Sequence, residues 1–310
     1  MTTSQILAVY NEQWATLAQT IMACRLKPGK KAVHALRTSS RRISAIIEKV
    51  HEDHPRTLSL NHSTEQALRQ LKKLRKLAGA IRDLDMHRKL LKSLQQERKP
   101  HSNESSLTAE PDSDIAALSG WLKDRRRDAA AELQHALKKQ ELKLEDRLEE
   151  LQKAIELHPG QTTSPLTTAR RWFARASTSH KPLNAENLHD LRKRTKTARY
   201  LAELEPTSQS ARSFVRDLQR MHDAIGDWHD WQMLAIEVNK ALGKEHTTLS
   251  RQIMEQRERA FQTALKEASQ ESHALRQATR TITVESATTV ARRKPVQSDH
   301  SHQAQSARQA

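Results

Sequence analysis

His34, Arg37 and Arg41 lie in the stretch Val33–Ile43, and His189, Arg192 and Lys196 stand in the same order in Leu188–Ala198. Both stretches read apolar-His-x-Leu-Arg-x-x-x-(Arg/Lys). At about 100° per residue, the three polar positions of each copy fall within roughly 60° of one another on a helix, and Arg199 extends the second stripe. Such a stripe supplies positive charge and hydrogen-bond donors, the chemistry that holds phosphate oxygens. No nucleophile–base–acid set can be assembled around it, so no catalytic residue is assigned. The apolar positions correspond as well: Val33, Leu36, Ile43, Ile46 and Ile47 against Leu188, Leu191, Ala198, Leu201 and Ala202. Each copy therefore encodes a helix with one core face and one cationic face, and the pair reads as an internal duplication.

A second pair of stretches aligns Gly79 with Gly226, Arg82 with His229 and Asp83 with Asp230. One stripe earlier, Arg75 aligns with His222. A mid-helix Gly costs about 1 kcal/mol relative to Ala. Matched glycines therefore point to a close approach of another helix or of a ligand, helix packing being the simpler reading. Asp83 and Asp230 read as carboxylates that orient Arg or His side chains. Trp228 and Trp231, at helical spacing with Ile225 and Leu234, read as core rather than as a stacking platform.

The elements that must position these residues follow from apolar periodicity and from breakers. Helices are expected at 4–25, 30–52, 62–97 and 113–157. The third enters through a capping-box spacing from Ser63 to Gln66, and Gly120 is a candidate break in the fourth. Residues 98–113 read as a flexible solvated loop. Lys138–Glu156 is charged on most faces and reads as projecting or as packing against one neighbour. After His158-Pro159-Gly160 the plan repeats, with helices at 164–178, 184–205, 208–243 and 246–283. The expected fold is all-α: two pseudo-symmetric antiparallel four-helix bundles, 1–160 and 161–284, and a disordered tail over 285–310.

Composition narrows the partner. The 310 residues carry 53 Lys and Arg against 37 Asp and Glu, a net charge of +16. Residues 1–100 alone hold 20 Lys and Arg against 8 Asp and Glu, whereas residues 101–160 are net acidic. Clustering of this kind points to a polyanionic partner. A single cysteine, Cys24, excludes an intramolecular disulfide and a multi-cysteine zinc site. There is no signal-peptide pattern and no apolar run of about 18 residues, so neither export nor membrane insertion is expected. No phosphate-cradling glycine loop and no His-Glu-x-x-His occurs. His51/His54 and His300/His302 fall at a helix end and in the tail, so neither a metal site nor a cofactor is assigned.

The duplicated His-x-x-Arg-x-x-x-(Arg/Lys) helices and Gly-x-x-(Arg/His)-Asp helices, in this order over about residues 4–283, resemble the CHAD domain, the conserved histidine α-helical domain. The resemblance implies two four-helix bundles flanking a basic surface or channel that binds inorganic polyphosphate. Carried onto this chain, the binding positions are His34, Arg37 and Arg41, then His189, Arg192, Lys196 and Arg199, with Arg75, Arg82, His222 and His229 from the second motif. Arg42 and Lys193, which flank the stripes, complete the set. Two departures stand out: Ser44 occupies the place of Arg199, and Arg82 that of His229. The Glu-x-Glu-x-Lys strand of the triphosphate-tunnel domains often joined to this family is absent, so triphosphatase activity is not transferred. The expected function is non-catalytic polyphosphate binding by a cytoplasmic protein at polyphosphate granules, with nucleic acid as a non-specific polyanion only. The alternatives are a nucleic-acid-binding basic helical protein and a polyphosphate-metabolising enzyme.

Overall fold

Six Gly and nine Pro in 310 residues leave long runs of strong helix formers uninterrupted. A computed structural model describes residues 2–54, 58–97, 113–157, 163–177, 182–243 and 247–291. The described residues form eight α-helices and no strand: α1 Thr3–Leu26, α2 Lys30–Asp53, α3 Leu58–Glu97, α4 Ser113–Glu156, α5 Pro165–Ser177, α6 Ala185–Ala202, α7 Gln209–Leu242 and α8 Thr248–Ala291. Two shorter helices followed by two long ones occur twice along the chain. None of the helices is long and apolar enough to cross a membrane.

Side-chain caps account for three of the N-terminal ends. Thr2 and Gln5 form a capping box on α1, Asn184 accepts from the N–H groups of Glu186 and Asn187 on α6, and Ser208 accepts from Ala211 N–H on α7. Gly29 precedes α2 and supplies no side-chain cap.

Several expected boundaries shift. α3 begins at Leu58, so Ser63 is not its cap; it lies inside the helix, where its hydroxyl donates to Glu150 of α4 at 3.0 Å. α4 runs unbroken through Gly120. α6 stops at Ala202 rather than near 205, in line with the bias of a residue before proline, here Pro206, away from helical geometry. α8 extends to Ala291, past the expected end near 283. The first residues of the segment read as tail are thus helical, no Gly or Pro intervening before Pro295. The loop residues 98–112 and the tail from 292 lie outside the described residues.

Three apolar clusters hold the helices. The first gathers Leu17 and Ile21 of α1, Ile43 and Ile47 of α2, Leu71 and Leu74 of α3, and Leu144, Leu148 and Leu151 of α4. The charged end of α4 therefore packs instead of projecting. Its leucines recur every three or four residues beneath the charges, and Tyr10 donates its hydroxyl proton to the Leu148 carbonyl at 2.8 Å. The second cluster joins Phe173 of α5, Leu188 and Leu201 of α6, Phe214, Leu218 and Met221 of α7, and Ala264 and Ala268 of α8, with Ala45 reaching in from α2. Trp228 belongs here, 5.3 Å from Phe261 between ring centroids.

The third cluster draws on both halves. Leu84, Leu91 and Leu94 of α3 and Ile115, Leu118 and Leu122 of α4 meet Leu234 and Val238 of α7 and Leu249 and Ile253 of α8. Full burial of one such side chain contributes about 1.5–3 kcal/mol. With ten of them shared, the halves are joined by a core rather than by a hinge.

Candidate anion-binding site

The cationic faces of α2 and α6 are brought together where the two halves meet. Arg41 donates to the Tyr200 hydroxyl at 3.4 Å, and Arg42 pairs with Glu203 at 3.4 Å. On the adjoining side α3 crosses α7, where Arg82 binds Asp230. Between these crossings lies a cavity of about 1080 Å³. It is lined by His34, Arg37, Arg41 and Arg42 from α2, and by Arg82 from α3. α6 adds His189, Arg192, Lys193, Lys196 and Arg199, and α7 adds His222 and His229. Of the positions expected from sequence, only Arg75 does not line it.

Arg75 is turned onto α2 instead. Its guanidinium donates to the Ser40 carbonyl at 3.0 Å and to the Ser44 hydroxyl. His222, its counterpart, is 4% exposed and shares a 2.8 Å hydrogen bond between its Nε2 and the Thr195 hydroxyl. Ser40 and Thr195 hold the same register in the two stripes. Position 75/222 thus clamps each long helix to its basic helix, and burial holds the His222 pKa well below its ordinary value, leaving a neutral ring.

The remaining cations fall into two groups. Arg82 bridges Asp230 and Asp83, the latter at 3.2 Å, so both aspartates sit on the same guanidinium. Arg199 reaches Gln219 and Glu203 and lies over the Tyr200 ring at 4.6 Å. Lys193 pairs with Asp190 at 2.7 Å on the surface. By contrast, among the described residues no carboxylate lies within ion-pair distance of Arg37, Arg41, Arg192 or Lys196. These four face one another.

Burial, and after it mutual repulsion, lowers the pKa values of this group. Burial pushes the Lys196 pKa down to about 5, reinforced by Arg41, Arg192, Arg37 and Arg82. Arg37 falls to about 10, through burial and then Arg41, and stays charged at neutral pH. His189 falls to about 4 through burial and then His229, whose ring centroid lies 4.6 Å away. His229 is lowered too, by burial and then Arg192. The free protein therefore holds Lys196 and His189 neutral at pH 7. A single negative charge about 4 Å from Lys196 contributes about 4 kcal/mol at an effective dielectric constant of about 20. That is enough to lift the Lys196 pKa from about 5 to above neutrality.

The two glycines differ. A Cβ on Gly226 would stand 2.9 Å from Arg192 Nη2, whereas one on Gly79 would meet nothing within 4 Å. Gly226 lets the Arg192 guanidinium lie against α7, where its Nε also donates to the His222 carbonyl at 3.2 Å. Close approach explains one glycine of the pair and not the other. Gly79→Ala is expected to raise stability by about 0.5–1 kcal/mol through helix propensity alone. Gly226→Ala is expected to displace the Arg192 side chain, losing that gain and weakening anion binding. Urea midpoints and anion titrations of the two variants check this.

Some lining residues escaped the sequence reading. Lys30 and Lys31 line the cavity, as does Tyr200. Lys30 precedes His34 by four residues and so continues the stripe of α2; the repeated motif, which begins at Val33, concealed it. Tyr200 follows Arg199 in the chain and lies outside the repeated motif. It is 4% exposed and serves as the hydroxyl and ring against which Arg41 and Arg199 rest. Among the described residues no three His, Cys, Asp or Glu side chains gather as metal ligands.

Comparison with known proteins places this geometry. No curated protein matches the chain. A solved structure of the CHAD domain from the plant Ricinus communis is similar, with a TM-score of 0.62 and 14% identity over 88% of this chain and 91% of that one. PptA from Streptomyces chartreusis is similar with a TM-score of 0.56 and 15% identity, over 89% of this chain and all but 1% of that one, 99% being covered. At these identities the likeness is one of fold. The CHAD domain family model matches residues 8–239, which span the helices that build all four walls of the cavity, and the chain belongs to the CHAD domain family.

Proposed function

We propose that the chain binds inorganic polyphosphate non-covalently in the cavity between its two halves, as a cytoplasmic protein associated with polyphosphate granules. The observation that carries this reading is the set Arg37, Arg41, Arg192 and Lys196, half-buried basic side chains that face each other with no carboxylate of the described residues within ion-pair distance. Such a set is unfavourable when empty and favourable around a dense anion. The general association of the CHAD domain family with polyphosphate binding and metabolism supports it. So does the shape. A duplex carries its phosphates on the outside of a rod and cannot enter a cavity of about 1080 Å³, whereas an unbranched phosphate chain can.

Binding without turnover is supported by the carboxylates of the cavity. Asp83 is held by Arg82 at 3.2 Å, Asp85 by Arg126 at 2.7 Å, and Glu203 by Arg199 at 3.3 Å, while the fourth lining carboxylate, Asp223, accepts from Gln219. Three of the four are committed to a cation they orient, which is poor preparation for activating water. The test is a competition between long-chain polyphosphate and duplex DNA at matched phosphate concentration, with a parallel incubation in divalent metal. Polyphosphate is expected to win and to be recovered at its original length. Preference for DNA, or release of phosphate, overturns the reading.

The depressed pKa values give this function a pH signature. Lys196 starts at about 5 and His189 at about 4 in the free protein, and a bound polyanion raises both. The complex therefore holds more protons than the free protein at every pH above these values and below the raised ones. Affinity is expected to increase as pH falls from 8 toward 5. Calorimetry at pH 7 in buffers of different ionisation enthalpy is expected to show proton uptake on binding; no uptake would mean that the anion does not reach Lys196.

A further inference from the structure

A second cavity, of about 410 Å³, abuts the first and shares Lys30 and Asp85 with it. Beyond that junction its walls are Arg88, Lys89 and Lys92 of α3, with Gln95 of the same helix and Ser119 of α4. The three cations are exposed, and no carboxylate among the described residues lies within ion-pair distance of them. Arg88 and Lys92 are four residues apart and Lys89 lies beside them, so the charges follow the helix away from the central site. Asp227 on α7, whose carboxyl burial pushes up, feels Lys89 as a weaker opposing influence.

The junction itself is prepared for an anion. Asp85, its one carboxylate, is gripped by Arg126 through two hydrogen bonds, at 2.7 and 3.2 Å. The same guanidinium donates to the Pro28 carbonyl at 3.1 Å. Arg126 thus neutralises the negative charge in the passage and fixes the turn from which α2 starts. α2 begins there with Lys30, and Gly29 offers its first-turn N–H groups no side-chain acceptor.

We propose that a linear polyanion longer than the central cavity leaves it past Lys30 and continues along α3 over Arg88, Lys89 and Lys92. This rests on the polyphosphate reading above and deepens it: the α3 groove is a second subsite, and it makes affinity depend on chain length. A short chain fills the cavity and never reaches the groove. A long chain engages both and releases more counterions.

The test compares tripolyphosphate with long-chain polyphosphate on the wild type and on an R88Q/K89Q/K92Q variant. All three positions are exposed, so the variant is expected to keep the wild-type melting temperature. Its affinity for long chains is expected to fall about tenfold or more, with the slope of log K against log salt shallower by about 2, while tripolyphosphate binding stays unchanged. Long-chain binding equal to wild type, or an equal loss for both lengths, overturns the second subsite and leaves the central site standing. Failure of the wild type to bind either anion overturns both.

Discussion

An R37Q/R41Q/K196M variant is expected to lose at least about a thousandfold in affinity for long-chain polyphosphate at low salt. Each hydrogen bond to a charged group contributes about 1.5–3 kcal/mol, and every 1.4 kcal/mol is a factor of ten. The same variant is expected to melt no lower than the wild type, and to melt higher if burial and repulsion are as the structure indicates. Lys196 is held neutral by its surroundings and Arg37 Nε is buried without a hydrogen-bond partner. Neither group stabilises the empty fold, and Arg41 gives up only its 3.4 Å hydrogen bond to the Tyr200 hydroxyl and a long contact with that ring. Loss of binding with a gain in stability separates an anion site from a structural cluster, because removing structural cations lowers both. Retained binding sinks the site assignment; a melting temperature lowered by several degrees sinks the claim that these cations are uncompensated. Raising salt is expected to weaken wild-type binding steeply and variant binding much less.

The second large effect concerns the crossing of α3 and α7. The Asp230 carboxylate is 4% exposed and binds Arg82, which is 27% exposed. Removing one partner of a buried pair costs about 3–5 kcal/mol. Arg82 keeps Asp83 and some solvent, which places Asp230→Ala near the lower figure, about 3 kcal/mol. A melting temperature lower by about 5–10 °C is the expected readout. Asp83→Asn, at a carboxylate 35% exposed, is expected to cost under about 1 kcal/mol. Polyphosphate is expected to restore more stability to Asp230→Ala than it adds to the wild type, because it supplies the negative charge that Arg82 has lost. Equal losses in the two variants would show that Asp230 is not the buried anchor of this crossing.

The helical class, the two basic helices and twelve of the cavity-lining positions were legible because helical periodicity fixes which side chains share a face. What periodicity does not fix is the partner of that face. Arg75 and Arg82 lie seven residues apart on one stripe of α3, yet Arg75 ends on Ser40 and Ser44 while Arg82 ends on Asp230. Ser44 stands where the second stripe has Arg199, and the smaller residue receives the Arg75 guanidinium. That exchange depends on reach across a helix pair, which no single-helix projection contains. The leucine ladder of α3 reads as one continuous face, but Leu71 and Leu74 enter the first cluster and Leu84, Leu91 and Leu94 the third. A helix longer than its bundle serves two cores, and its sequence marks only that the face is buried. For Lys138–Glu156 the sequence leaves projection and packing both open, because a strongly charged segment hides the narrow apolar seam of Leu144, Leu148 and Leu151.

The third cluster also bears on rates. Because α3 and α4 are packed into α7 and α8 at that core, the α3 and α7 walls of the cavity are expected to stay together as a ligand enters. Encounter is then limited by diffusion and by the attraction of a net charge of +16, so the association rate constant should fall steeply with ionic strength and show no saturation with polyphosphate concentration. Differences in affinity among chains of different length are left to the rate of departure, which each additional phosphate contact slows.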